Sequence, residues 1–244
     1  MIAEVEMAKS VYSRVLLKLS GETLKGSQPF GYEPSSCTLV AERIKNILDC
    51  GVEVALVVGA GNIWRGGAAG SMMDRVDADK MGMLATAMNA IALKNFFSAS
   101  GIPVLLQSAI PMGGFLPVYE RDKALEALSS GKLVIFAGGT GNPFFTTDTA
   151  SVLRALETDC DAVLKATQVD GVYSADPKKD PDAVRYGELS FDEALDKRLK
   201  VMDTAAFSLC RDHDLPIVVF DFFHADLEKV LAGDTSEGTI VHQA

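Results

Sequence analysis

Residues 137–148, Ala-Gly-Gly-Thr-Gly-Asn-Pro-Phe-Phe-Thr-Thr-Asp, leave the chain around them little choice of architecture. A short apolar run, 133–136, leads in, and a helix-like stretch, 149–157, leads out. A buried strand therefore opens through a glycine-rich loop into a helix N-terminus carrying two hydroxyls. Free N–H groups and the helix dipole make such a junction a natural anion site. Glycines there let the main chain approach a ligand closely or turn through positive φ. A plain turn with a threonine N-cap would explain the glycines and threonines. It would need neither Asn142-Pro143 nor the adjacent Phe144 and Phe145, so the segment reads as a ligand loop.

The same strand–loop–helix alternation runs along the chain. Strands are predicted over 11–19, 52–58, 102–106, 133–136, 162–165 and 217–220, with a last one near 239–241. Helices are predicted over 35–50, 75–100, 120–128, 149–157, 191–199, 204–212 and 225–231, several closed by a glycine. Residues 22–34, 59–70 and 166–187 read as loops, the last with Asp-Gly and Asp-Pro turns. The continuous apolar character of 52–58 fits a parallel strand buried on both faces. On the long helix, Met81, Leu84, Met88, Ile91 and Phe96 lie near one stripe, the mark of a core or subunit-interface face. The expected fold is α/β, a three-layer αβα sandwich with a largely parallel central sheet. No linker, repeat or low-complexity segment divides the 244 residues, so one domain is expected.

A net charge of −10 argues against a nucleic-acid surface, so any anion site must be locally basic. Cys37, Cys50, Cys160 and Cys210 are scattered without a Cys-x-x-Cys pair, and His213, His224 and His242 share no ligand spacing with them. They read as reduced core thiols and not as a zinc site or disulfides. Residues 1–10 lack the layout of a signal peptide, and no apolar run approaches the ~18 residues of a membrane span. A soluble cytoplasmic protein is the expectation.

Ligand loops of such sheets sit at the carboxyl ends of strands. Four segments end that way: Lys18-Leu19-Ser20-Gly21, Gly59-Ala60-Gly61-Asn62-Ile63-Trp64-Arg65-Gly66, the loop described first, and Lys165-Ala166-Thr167. A lysine in a buried strand is costly unless an anion or carboxylate meets it. One such lysine could run its stem to the surface; two beside glycine-rich loops point to phosphate. The chain has no G-x-x-x-x-G-K-[S/T] motif and no G-x-S-x-G elbow. Trp64 stands where the dinucleotide fingerprint needs its third glycine. Lysines, glycine-rich loops, Arg65 and Asp148 around one sheet edge suit phosphoryl transfer by positioning and charge neutralisation.

These residues carry a resemblance over about 12–241, nearly the whole chain. Its most specific pieces are Leu16-Leu17-Lys18-Leu19-Ser20-Gly21-Glu22, Met81-Gly82-Met83-Leu84-Ala85-Thr86, residues 138–148, and Leu164-Lys165-Ala166-Thr167 continuing through Val169-Asp170-Gly171-Val172-Tyr173 to Asp176-Pro177. The chain resembles the bacterial uridylate (UMP) kinases of the amino acid kinase superfamily. The resemblance implies the reaction ATP + UMP → ADP + UDP in pyrimidine nucleotide biosynthesis, with Mg²⁺ accompanying ATP, in a cytoplasmic homohexamer. It implies a catalytic set of Lys18, Lys165 and Asp148. For Asp148 the residues alone leave three roles open: orienting a lysine, serving as a metal-side acid, or a first-turn helix carboxylate. ATP would be held by Lys18, Leu19, Ser20, Gly21, Gly61, Arg65, Thr167, Tyr173 and Asp176. UMP would be held by Ala60, Asp79, Thr140, Gly141, Asn142, Pro143, Phe144, Phe145, Thr146 and Thr147. The part before about residue 150 would serve mainly UMP binding and oligomerisation, the part after it mainly ATP binding.

Gly26, Ser27, Gln28, Pro29, Phe30 and Gly31 match a segment linked in the family to allosteric GTP, an activator, with UTP as an inhibitor. This chain departs from the pattern at two places. Ala60 replaces the middle glycine of the second loop, a change small enough for backbone binding to survive. Lys94, Ser98 and Leu105 occupy positions where some members carry basic residues near the GTP segment, which leaves GTP activation without those contacts. Two further readings remain open: an acyl-phosphate-forming kinase of the same superfamily, and a nucleotide-binding regulator without turnover, against which both lysines speak.

Overall fold

Neighbouring residues of the central strands feed two different apolar cores. Along β1 (Arg14–Leu19), Val15, Leu17 and Leu19 pack into one cluster and Leu16 into the other. The same parity holds in β2 (Glu53–Val58), where Val54, Leu56 and Val58 oppose Ala55 and Val57. A strand buried on both sides needs apolar residues at successive positions, which is why these strands are unbroken apolar runs and do not alternate with polar residues. The computed structural model describes residues 9–64 and 73–244; Arg65, assigned to ATP by resemblance, lies outside the described residues.

The remaining described elements are α1 (Glu22–Lys25), α2 (Pro34–Asp49), α3 (Arg75–Ala99), β3 (Val104–Ser108), α4 (Arg121–Ser129), β4 (Leu133–Ala137), α5 (Thr147–Glu157), β5 (Ala162–Thr167), β6 (Glu188–Ser190), α6 (Phe191–Asp196), α7 (Thr204–Asp212), β7 (Ile217–Asp221), α8 (Leu227–Leu231) and β8 (Gly238–His242). The strands form one sheet in the order β3-β4-β2-β1-β5-β7-β8-β6. Every neighbouring pair is parallel except β7–β8. The predicted three-layer, largely parallel α/β sandwich is the observed architecture. One outer layer places Ile44 and Ile47 of α2 and Leu93 and Phe97 of α3 against the sheet; the other places Val152 of α5 and Phe207 of α7 there.

The chain builds outward from β1 in both directions, to β2, β4 and β3 on one side and to β5 and β7 on the other. Such a reversal leaves a crevice at the carboxyl ends of the central strands. Lys18 and Lys165 are register partners in β1 and β5 and share strand parity with Leu16 and Val163. Both lysines therefore face the α5–α7 layer.

Some expectations shift. Residues 22–34, read as a loop, include the one-turn helix α1, and β6 adds a short strand after the long loop. The helix predicted over 191–199 stops at Asp196; Arg198 has φ 52°, which no continuing helix accommodates. All four cysteines are free; of the four expected in the core, Cys37, Cys160 and Cys210 are buried and Cys50 is half-buried at its edge. Burial pushes the Cys160 and Cys210 thiols up to about 12, far from reactive thiolates.

Candidate active site

The side chain of Asp148 joins the two strand lysines. Lys18 Nζ stands 2.6 Å from Oδ1, a close ion pair outside hydrogen-bond alignment, and Lys165 Nζ donates to Oδ2 at 2.9 Å. Lys165 also donates to the Val201 carbonyl at 2.5 Å. Asp148 occupies the first turn of α5, where the helix dipole favours a carboxylate, and Thr146 caps that helix by accepting from the Asp148 N–H. Burial pushes the Asp148 carboxyl up, but the two ammonium groups outweigh it and hold the net value below the ordinary carboxylate range. Burial pulls the Lys165 ammonium down, with Asp148 opposing and Lys18 reinforcing that change. Of the three roles open for Asp148, orientation of both lysines is the one this geometry displays. The cluster carries one net positive charge at the mouth of the sheet.

Two cavities flank it. The first, about 220 Å³, is lined by Ala60, Asp79, Thr140, Asn142, Phe145, Thr146 and Thr147 from the residues matched to UMP. Gly141, Pro143 and Phe144 belong to the same loop but do not line this cavity. Phe144 has φ 71°, a left-handed conformation unusual for an aromatic residue. Its N–H donates to Asp79 Oδ2 at 2.8 Å, and the Arg75 guanidinium lies 5.8 Å from its ring centroid. Arg75 in turn donates to both Asp79 oxygens, at 2.9 and 3.0 Å. Backbone strain is thus held by a specific carboxylate–amide bond at the edge of the cavity.

The second cavity, about 420 Å³, is lined by Thr167, Tyr173 and Asp176 of the residues matched to ATP, by Lys165 of the catalytic set, and by Lys197, Arg198, Leu199 and Lys200. The loops that follow β1 and β2 meet backbone to backbone. A Cβ on Gly21 would lie 2.5 Å from the Gly59 carbonyl oxygen and 2.8 Å from the Gly61 nitrogen, so only glycine fits there. Gly26 to Gly31 line neither cavity; Phe30 is exposed, and the Gly31 N–H donates to the Asn62 carbonyl at 2.8 Å.

Sequence reasoning missed Arg75, the strap Lys197-Arg198-Leu199-Lys200 and Asp203. The strap had a signal, three cations within four residues of an acidic chain. Asp203 caps α7 by accepting from the Ala206 N–H and also accepts from the hydroxyls of Thr146 and Thr149, tying the first cavity's loop to the second half of the chain. Its place in the sequence gave no sign of that bridge. Among the described residues no cluster of three His, Cys, Asp or Glu could hold a metal ion. The central carboxylate is committed to two lysines, so this donor set offers no resident Mg²⁺ cage; Mg²⁺ is commonly bound through substrate phosphates and water instead.

Asp148→Asn keeps the shape and removes the charge between two buried ammonium groups. Breaking such a buried pair costs on the order of 3 kcal/mol. The stabilisation exists above the ordinary carboxyl value of 3.8 and is lost as pH falls through the lower folded value. Denaturant unfolding should therefore separate wild type from Asp148→Asn at neutral pH, and the two curves should converge as the solution is acidified below 3.8.

The family model described as "Amino acid kinase family" matches residues 13–221. A uridylate kinase of Stutzerimonas stutzeri is 52% identical over 236 residues, 96% of this chain and 95% of that protein. The crystal structure of a UMP kinase from Bacillus anthracis superposes with a TM-score of 0.91 at 38% identity, covering 95% of this chain and 96% of that one. A UMP kinase structure from Ureaplasma parvum gives 0.87 at 35% identity, covering 94% of this chain and 98% of that one. With matches of this extent in sequence and in three dimensions, the chain belongs to the amino acid kinase family.

Proposed function

We propose that the protein is a UMP kinase, transferring the γ-phosphoryl group of MgATP to UMP to give ADP and UDP in pyrimidine nucleotide biosynthesis. The observation that carries this reading is the Lys18–Asp148–Lys165 cluster set between two cavities. UMP would occupy the cavity of Asp79, Thr140 and Asn142, in the earlier part of the chain. ATP would occupy the cavity of Thr167, Tyr173 and Asp176, in the later part, with its phosphates reaching Lys18 to Gly21. The relatives named as uridylate and UMP kinases favour this assignment over an acyl-phosphate-forming kinase.

The attacking atom is a phosphate oxygen already ionised at neutral pH, so the reaction needs no general base. Repulsion between two polyanions is the obstacle. Lys18 and Lys165 would oppose it with charge held in place before substrate arrives, and loop N–H groups would add oriented dipoles. Asp148 keeps both ammonium groups directed inward without cancelling their combined charge. Lys197, Arg198 and Lys200 extend the positive lining of the ATP-side cavity. Mg²⁺ enters as part of the nucleotide substrate and neutralises phosphate charge there.

We extend the proposal to a homohexamer. Met81, Leu84, Met88 and Ile91 are 39–53% exposed on one face of α3, an apolar stripe of the kind that marks an interface. The resemblance supplies the number six; the stripe supplies one contact. GTP activation and UTP inhibition belong to the same reading, with Gly31–Asn62 as the link from residues 26–31 to the second loop. A cytoplasmic location follows from the substrates; among the described residues no helix is long and apolar enough to cross a membrane.

A coupled ADP-release assay across nucleoside monophosphates, acetylglutamate and carbamate should find turnover with UMP, and its absence would overturn the assignment. In the same assay Lys18→Ala should lower kcat by ~10²-fold or more, as for loss of one charge-stabilising donor, with UMP binding largely intact. Sedimentation velocity should show a hexamer for the wild type and smaller species for Leu84→Glu/Met88→Glu. A monomeric wild type would remove the oligomer from the proposal.

A further inference from the structure

The face of α3 turned away from the exposed stripe carries two buried polar residues that the chemistry above does not use. Thr86 and Asn89 stand one turn apart, among neighbours such as Ala90, Leu93 and Phe97 that complete an apolar core. Thr86 donates its hydroxyl to the Met83 carbonyl at 2.7 Å and accepts from the Gly138 N–H at 2.9 Å. Gly138, with φ 79°, is the first residue after β4, where the UMP-side loop begins. Asn89 Nδ2 donates to the Gly59 carbonyl at 2.7 Å, at the start of the second glycine-rich loop, and to Asn62 Oδ1 at 2.8 Å. Asn62 returns the bond, Nδ2 to Asn89 Oδ1 at 3.0 Å, and gives its other hydrogen to the Gly31 carbonyl at 3.0 Å. Asn62 and Asn89 are 2% and 0% exposed.

Packing alone would be better served by leucine or valine at these places, because each buried amide must recover its desolvation through hydrogen bonds. Here both side-chain N–H bonds of both amides are used, and a fully satisfied network has one arrangement. That arrangement fixes the ends of β2 and β4, adjacent strands, against one rigid helix. It also borders the first loop, since Asn62 Oδ1 occupies the space a Cβ on Gly21 would need. The loops proposed to hold the donor phosphates and the acceptor nucleotide are therefore referenced to the same turn of α3.

We infer that Thr86 and Asn89, with Asn62 as partner, are positioning residues that set the separation of the two nucleotide loops for in-line transfer. The inference rests on the phosphoryl-transfer reading above. In-line attack needs the reacting atoms held near 3–3.5 Å, roughly, and a displacement of about 1 Å can cost up to ~10²-fold in rate. Asn89 lines neither cavity, so its effect belongs in kcat and leaves the binding constants nearly unchanged. Thr86 borders the UMP-side cavity, but its hydroxyl is committed to Met83 and Gly138, so the ATP constant is the one its loss leaves unchanged.

The test compares Thr86→Val, which keeps the shape and loses the hydroxyl, with Thr86→Ser, which keeps the hydroxyl, and with Asn89→Ala. Each is first checked for native sedimentation and cooperative unfolding. Wild-type turnover with ATP and UMP is measured alongside; its absence would count against the proposed reaction. The positioning role is read independently from amide exchange over residues 138–147. Asn89→Ala should lower kcat by about 10-fold or more with both KM values within about threefold, and Thr86→Val should lower kcat by about 10-fold or more with the KM for ATP within about threefold. Thr86→Val should speed exchange at Gly138, and Thr86→Ser should stay within about twofold of wild type in kcat. A folded Thr86→Val with wild-type kcat and unchanged exchange would overturn the inference, as would a Thr86→Ser as impaired as Thr86→Val. Should Thr86→Val not fold, Thr86→Ala, which adds no buried methyl beside the Gly138 N–H, is held to the same criteria.

Discussion

Two ammonium groups sharing one carboxylate inside a mostly apolar sheet is the condition the rest of this structure is arranged to meet. Buried ion pairs rarely repay their desolvation, so the Lys18–Asp148–Lys165 cluster is poor evidence of stability. It makes sense as charge prepared in advance. The parallel register of β1 and β5 sets the lysines side by side, and the capped N-terminus of α5 delivers the carboxylate between them. Moving either strand by one residue would turn its lysine into the opposite layer. The sheet thus acts as a ruler for electrostatics as much as a core.

Around that cluster, precision comes from main chain more than from side chains. The first two glycine-rich loops touch where Gly21 meets Gly59 and Gly61, closer than any side chain permits. The loop of residues 138–147 is fastened at three points, by Thr86 at Gly138, by Asp79 at Phe144 and by Asp203 at Thr146. Two of those fasteners stand on α3 and the third on the cap of α7. Opposite faces of α3 therefore do different work, one fixing loops and the other presenting an apolar stripe to the outside.

The architecture was legible because strands buried on both faces cannot hide their apolar runs, and β1, β2 and β4 each run on into a glycine-bearing loop. Lys18 and Lys165 were legible singly, as cations where burial disfavours them. Their adjacency was not, since it depends on strand order and register, which local pattern does not encode. Asp148 was visible, but three roles fitted it until the structure put both lysines on its oxygens. Arg75 looked like an ordinary helix-start residue, and Asp203 like an ordinary cap. Each gains its meaning from a contact with a residue far away in the chain, Phe144 for one and Thr146 for the other. The helix α1 was overlooked because a single turn has no periodicity to detect.

Phe144 carries one more consequence. Its left-handed backbone costs on the order of 1–3 kcal/mol for any residue with a side chain of that size. Glycine would adopt the same geometry without that penalty. Selection for heat resistance alone would favour glycine at 144, and would discard the ring beside Arg75 together with the restricted swing of the loop. At this residue hardiness and fit pull in opposite directions.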